Sequence, residues 1–225
     1  MTIIDAGTAK LAGLQIDMLQ KIRNGQMTIS HVEWFNNLTL VQRDMLSGAD
    51  LTKLDDTRFE LINAFEVMVP ADYVHVTQLG TFRAAHQSEK NKEFYHYNPD
   101  LTDANFTKTP ALVPGKKFLV KAFQIKGVVT SEDCLTQLRR VKATLTGAQG
   151  ASLAYEQAKD KLPISRGSLS FDEKDNLPFV GGYHGVPHVD RRSGVDFRFR
   201  LGFWGGGWDD NYVLLAFCDL PAGEA

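Results

Sequence analysis

Residues 194–218 read GVDFRFRLGFWGGGWDDNYVLLAFC, two strand patterns of different kind separated by a glycine-rich turn. Val195, Phe197, Phe199, Leu201 and Phe203 fall on one side of an extended chain, with Asp196, Arg198, Arg200 and Gly202 on the other. This alternation predicts a strand with one buried face. After Gly205, Gly206 and Gly207, the run from Tyr212 to Cys218 is apolar on both sides, as in a strand covered on both faces. The two runs predict a hairpin with an unusually rich turn.

The rest of the C-terminal half fits around such a sheet. The run 118–125 predicts a strand, apolar except where Lys117, Lys121 and Lys126 emerge. Thr130-Ser131-Glu132-Asp133 predicts a capped helix start with early acids, as the helix dipole favours, and Leu135, Leu138 and Val141 form the helix's apolar stripe. A second helix is predicted over 151–161, opened by Gly147-Ala148-Gln149-Gly150 and stopped by Pro163. Short strands follow at 168–171 and 183–189.

The N-terminal part reads differently. Leu11, Leu14, Met18, Leu19 and Ile22 have helical spacing, short helices are predicted over 31–36 and 40–46, and another over 56–67. The pair of short helices has the outline of a helix-turn-helix, but Gln42 and Arg43 stand beside Asp44 without the phosphate-binding Lys and Arg that DNA contact requires. Residues 83–114 are polar and show no regular period. The expected fold class is therefore α+β: an N-terminal helical module over 1–70, a poorly patterned mixed region over 71–115, and an α+β domain over 116–225. That last domain is expected to end in a mainly antiparallel sheet or small open barrel.

Composition bounds the function. Of 225 residues, 43% are hydrophobic and 23% charged, which suits a globular protein able to bury a core. No run approaches the roughly 18 apolar residues that span a bilayer, so no membrane partner is expected. The formal charge of -2 gives no overall drive toward nucleic acid. Two widely separated cysteines, Cys134 and Cys218, and an N-terminus without a secretory leader pattern predict thiols in the cytoplasm.

The segments TSEDCLTQL (130–138), TGAQGASLAYEQ (146–157) and WGGGWDDNYVLLAFC (204–218) resemble a group of uncharacterised proteins from uncultured candidate-phylum bacteria. The resemblance covers only the C-terminal half. That group has no assigned activity, so the likeness implies an origin and no mechanism.

Four groups of residues could carry chemistry. His184, His188 and Asp190 supply two imidazoles and a carboxylate within seven residues, a candidate divalent-metal set, although residues four apart in a strand are about 13 Å apart. Asp209 and Asp210, behind three glycines, offer oxygens to a hard cation. Trp204 and Trp208 could form an aromatic platform for a sugar, a base or a partner side chain. Arg191, Arg192, Arg198 and Arg200 are the most basic local group and could face phosphate or an acidic partner, with Asp190, Asp196, Asp209 and Asp210 available to neutralise them.

No nucleophile elbow, P-loop or Rossmann glycine fingerprint is present. The expected function is therefore a non-enzymatic binding or protein-interaction protein without a cofactor, using Trp204, Trp208, Asp209, Asp210, Arg198 and Arg200. The alternatives are a metal-assisted hydrolase centred on His184, His188 and Asp190, and nucleic-acid binding through the basic group.

Overall fold

A computed structural model of the chain describes residues 57–192 and 196–220, together with Arg23, Asn24 and Thr28. The chain divides after Leu54, and the fold below is that of the second unit. The residues from Leu11 to Ile22 with helical spacing and the helices expected over 31–36 and 40–46 lie outside the described residues.

The unit is built on one eight-stranded mixed sheet, not on a helical module joined to an antiparallel sheet or barrel. The strands are β1 (Phe59–Met68), β2 (Phe94–Tyr97), β3 (Lys117–Ile125), β4 (Arg166–Leu169), β5 (Phe179–Val180), β6 (Tyr183–Arg191), β7 (Phe197–Phe203) and β8 (Tyr212–Asp219). Their order is β1-β3-β8-β4-β6-β7-β2, with β5 attached to β6. The β4–β8 and β2–β7 pairs are parallel and the others antiparallel. Among the described residues, β1 and β2 are the two ends of this order.

The helix expected over 56–67 is β1. A bulge between Leu61 and Asn63 inserts one residue against β3, which moves the buried positions from Phe59 before it to Phe65 and Val67 after it on the opposite face. The extra residue, Ile62, stands three from both Phe59 and Phe65, and that spacing mimics a helical period.

β7 and β8 largely have the burial their sequences predict, although Phe203, expected on the buried side, is exposed. Phe197, Phe199 and Leu201 are buried between partly or fully exposed arginines, and Val213 to Cys218 is buried throughout. They do not form a hairpin with each other. β7 pairs with β6 and β2, β8 with β3 and β4, and the pairings make β7 and β8 parallel. Parallel strands cannot be joined by a tight turn, so residues 204–211 cross the sheet face instead.

Helices α1 (Gln78–His86) and α3 (Gly147–Ala158) cover one face, where Phe82 meets Phe199 at 5.7 Å and Tyr155 meets Phe197 at 5.0 Å between ring centroids. Helix α2 (Ser131–Arg140) serves the other face, and begins with a reciprocal cap between Thr130 and Asp133. Ser131 Oγ donates to the Trp204 carbonyl at 2.7 Å and accepts the Trp208 indole N–H at 2.9 Å, which ties the crossing segment to the helix. Among the described residues no helix is long and apolar enough to cross a membrane.

Candidate functional site

The register of four strands sets out one row of side chains. Tyr212 on β8 is level with Gly167 on β4, Gly167 with Asp190 on β6, and Asp190 with Arg198 on β7. Directly paired residues share a face, so the row points one way. Gly167 is what lets its neighbours meet: a Cβ there would lie 2.7 Å from Asp190 Oδ1 and 2.9 Å from Tyr212 Cδ1. Ser165, at φ 63°, turns the chain into β4 at the end of the row.

At this end of the sheet is a cleft of about 400 Å³, whose lining includes Arg166, Arg191, Arg192, Arg198, Asp190 and Tyr212. Four guanidiniums stand there against one carboxylate. Three of them are held by neutral groups. Arg166 Nε donates to the Asp210 carbonyl at 3.3 Å, and Arg191 Nη1 donates to the carbonyls of Asp160 at 2.6 Å and Leu162 at 2.8 Å. Arg198 lies over the Tyr95 ring at 5.3 Å. Cation–π stacking and carbonyl acceptors fix a guanidinium in place without cancelling its charge.

The acids expected to neutralise this group are mostly engaged elsewhere. Asp190 Oδ1 is 3.4 Å from His188 Nε2, and its Oδ2 accepts from Arg200 at 3.5 Å. Asp209 Oδ1 accepts from the backbone and side-chain nitrogens of Asn211, at 3.0 and 3.1 Å. Asp210 gives the cleft only its carbonyl. Among the described residues, Arg166, Arg192 and Arg198 have no carboxylate partner.

The histidine set does not converge. His188 is 3% exposed, its Nδ1 lies 3.3 Å from the Val186 carbonyl, and its ring is edge-on to Tyr212 at 5.8 Å. Burial lowers its pKa below the usual 6.5, against the pull of Asp190, so the ring is neutral at pH 7. His184 turns instead to the Leu177 carbonyl and the Phe179 ring. Among the described residues no three His, Cys, Asp or Glu side chains gather as a metal set.

The two tryptophans are not an open platform. Trp204 and Trp208 are 7% and 3% exposed, with their rings 5.8 and 5.9 Å from Phe171. Asp209 and Asp210 sit on the crossing segment beside the cleft. Of the expected binding residues, Arg198 alone contributes its side chain to the cleft wall, and Arg200 reaches it through Asp190.

Sequence patterns do not point to Tyr95 and Arg166, which orient and line the cleft from 97 and 26 residues before Arg192. Nor do they point to a polar network that joins α1 and α3 through Glu93, just before β2. His86 Nδ1 lies 3.1 Å from Glu93 Oε1 and its Nε2 lies 3.6 Å from Glu156 Oε1. Tyr155 and Lys159 both donate to Glu93 Oε2, at 2.8 and 3.0 Å. No short motif links these positions, so only the tertiary fold reveals them. No protein-family model, curated protein or solved structure matches this chain.

Proposed function

We propose that this is a non-enzymatic interaction protein that binds an acidic segment of a protein partner in the arginine cleft. One observation carries the reading: Arg166, Arg192 and Arg198 line one cleft without a carboxylate of their own. A chain of net charge -2 that concentrates unpaired guanidiniums in a concavity focuses positive potential there. Anion capture of this kind needs no metal or cofactor, and none is proposed. Cys134 and Cys218 are both free and buried, which suits a reducing compartment, and the cytoplasm is the proposed location.

The test is the affinity of a fluorescein-labelled oligo-glutamate peptide for the whole protein at low salt, with Arg198→Glu as the comparison. Saturable binding that falls at least about tenfold in the variant is expected, as for reversal of a charge at an interface. Equal binding by both proteins, with both melting at the same temperature, would remove the cleft from the reading.

A further inference from the structure

We infer that the group the cleft selects is a phosphate monoester carried on the partner's acidic segment, as on a phosphorylated serine. This rests on the cleft being the binding site, and it adds the chemistry of the ligand. A carboxylate has two oxygens and one charge, and one guanidinium fork satisfies it. A phosphate monoester has three terminal oxygens and between about 1.5 and 2 negative charges at pH 7. Three uncompensated guanidiniums, on Arg166, Arg192 and Arg198, match the second ligand and exceed the needs of the first.

The donors are also set in advance. Arg166 is fixed by the Asp210 carbonyl and Arg198 by the Tyr95 ring, so little side-chain freedom is lost on binding. Tyr212 also lines the cleft, and its hydroxyl has no hydrogen-bond partner among the described residues. Asp190, the one carboxylate in the cleft, already faces His188 and Arg200. A nucleic-acid strand would need a track of cations along successive phosphates, and one cleft on a chain of net charge -2 holds a single phosphate better than it follows a backbone.

The experiment compares two synthetic peptides on the whole protein by isothermal titration: an acidic peptide with one central serine, and the same peptide phosphorylated. A single-stranded oligonucleotide of equal charge is the third probe. The phosphopeptide is expected to bind at least about tenfold more tightly than its parent, and Arg198→Lys, which keeps the charge and loses the fork, should remove most of that gain. Inorganic phosphate should compete. Equal affinity for both peptides would overturn the phosphate inference and leave the acidic-segment reading in place. Failure of both peptides to bind would overturn both. Tighter binding of the oligonucleotide than of the phosphopeptide would also overturn the inference.

Discussion

A guanidinium stacked on a tyrosine ring, as Arg198 is on Tyr95, keeps its whole charge and loses most of its motion. The opposite case is Asp172. It is 0% exposed, its Oδ1 accepts from the Glu173 amide at 2.7 Å and from Asn176 Nδ2 at 2.9 Å, and its Oδ2 has no partner. Burial raises its pKa above the ordinary 3.8. A raised carboxyl pKa means stability that is present below the unfolded value and lost as pH rises through the folded one, so the charge costs stability at neutral pH. Thr109 Oγ1 and Asp172 Oδ2 both border the space beside Gly147. Asp172→Asn keeps the Oδ1 acceptor and offers a donor toward Thr109, so it should stabilise the protein by about 1 kcal/mol at pH 7 in urea unfolding. A loss of stability would show that the carboxylate is needed.

Glu93 runs the other way. Burial acts to raise its pKa, but hydrogen bonds from Asn91, Tyr155, His86 and Lys159 together outweigh it and hold the carboxyl at about 2, below the ordinary 4.5. Its stabilisation is therefore full above about pH 4.5 and lost as pH falls toward 2. Glu93→Gln should cost on the order of 2 kcal/mol at pH 7, and the difference from wild type should shrink with acid across that window. A pH-independent difference would mean that the Glu93 charge contributes nothing to the network.

At the scale of elements, the crossing segment 204–211 fastens the two halves of the sheet. The Trp208 ring lies over Gly202, where a Cβ would be 2.6 Å from Cη2, and meets Tyr212 at 5.1 Å. Trp208→Ala should therefore cost about 3–5 kcal/mol through the cavity it leaves. Gly202→Ala should cost about 1–3 kcal/mol by forcing the indole out of place. Urea titrations check both, and a neutral Gly202→Ala would show that the segment is free to move off the sheet. The strand character of 197–203 and 212–219 was legible because burial on one or both faces leaves a period in the residues themselves. The pairing was not. Residues 204–211 hold the glycines of a turn, but the same glycines serve a segment that must lie flat against Phe203 and Val128. β1 has a helical spacing because its extra residue, Ile62, places apolar side chains three apart from Phe59 to Phe65. The arginine group could be seen near 191–200, whereas Arg166, Tyr95 and the absence of neutralising carboxylates depend on register across β4, β6 and β7, which no local pattern carries.

For the whole molecule, the charge distribution matters more than its sum. If the ligand is an acidic partner, as proposed, a net charge of -2 repels it weakly at long range and the cleft attracts it at short range. The lining arginines should then divide the kinetics. Arg192 is exposed at the rim and Arg198 is partly buried on the wall. Arg192→Ala should chiefly slow association and weaken its dependence on salt, and Arg198→Ala should chiefly speed dissociation. Stopped-flow fluorescence with the labelled acidic peptide separates the two. Identical effects on both rates in the two variants would mean that the cleft has no rim and wall in the energetic sense.

The most direct test of the cleft is to watch the guanidiniums themselves. Nitrogen-15 spectra of the arginine Nε–H groups, recorded while inorganic phosphate replaces chloride at constant ionic strength, report each side chain separately. The Arg166, Arg192 and Arg198 signals should shift together and saturate, while Arg139, paired with Glu173 at 2.8 Å, stays in place. Shifts spread evenly over all the arginines, or none at the three in the cleft, would contradict the account.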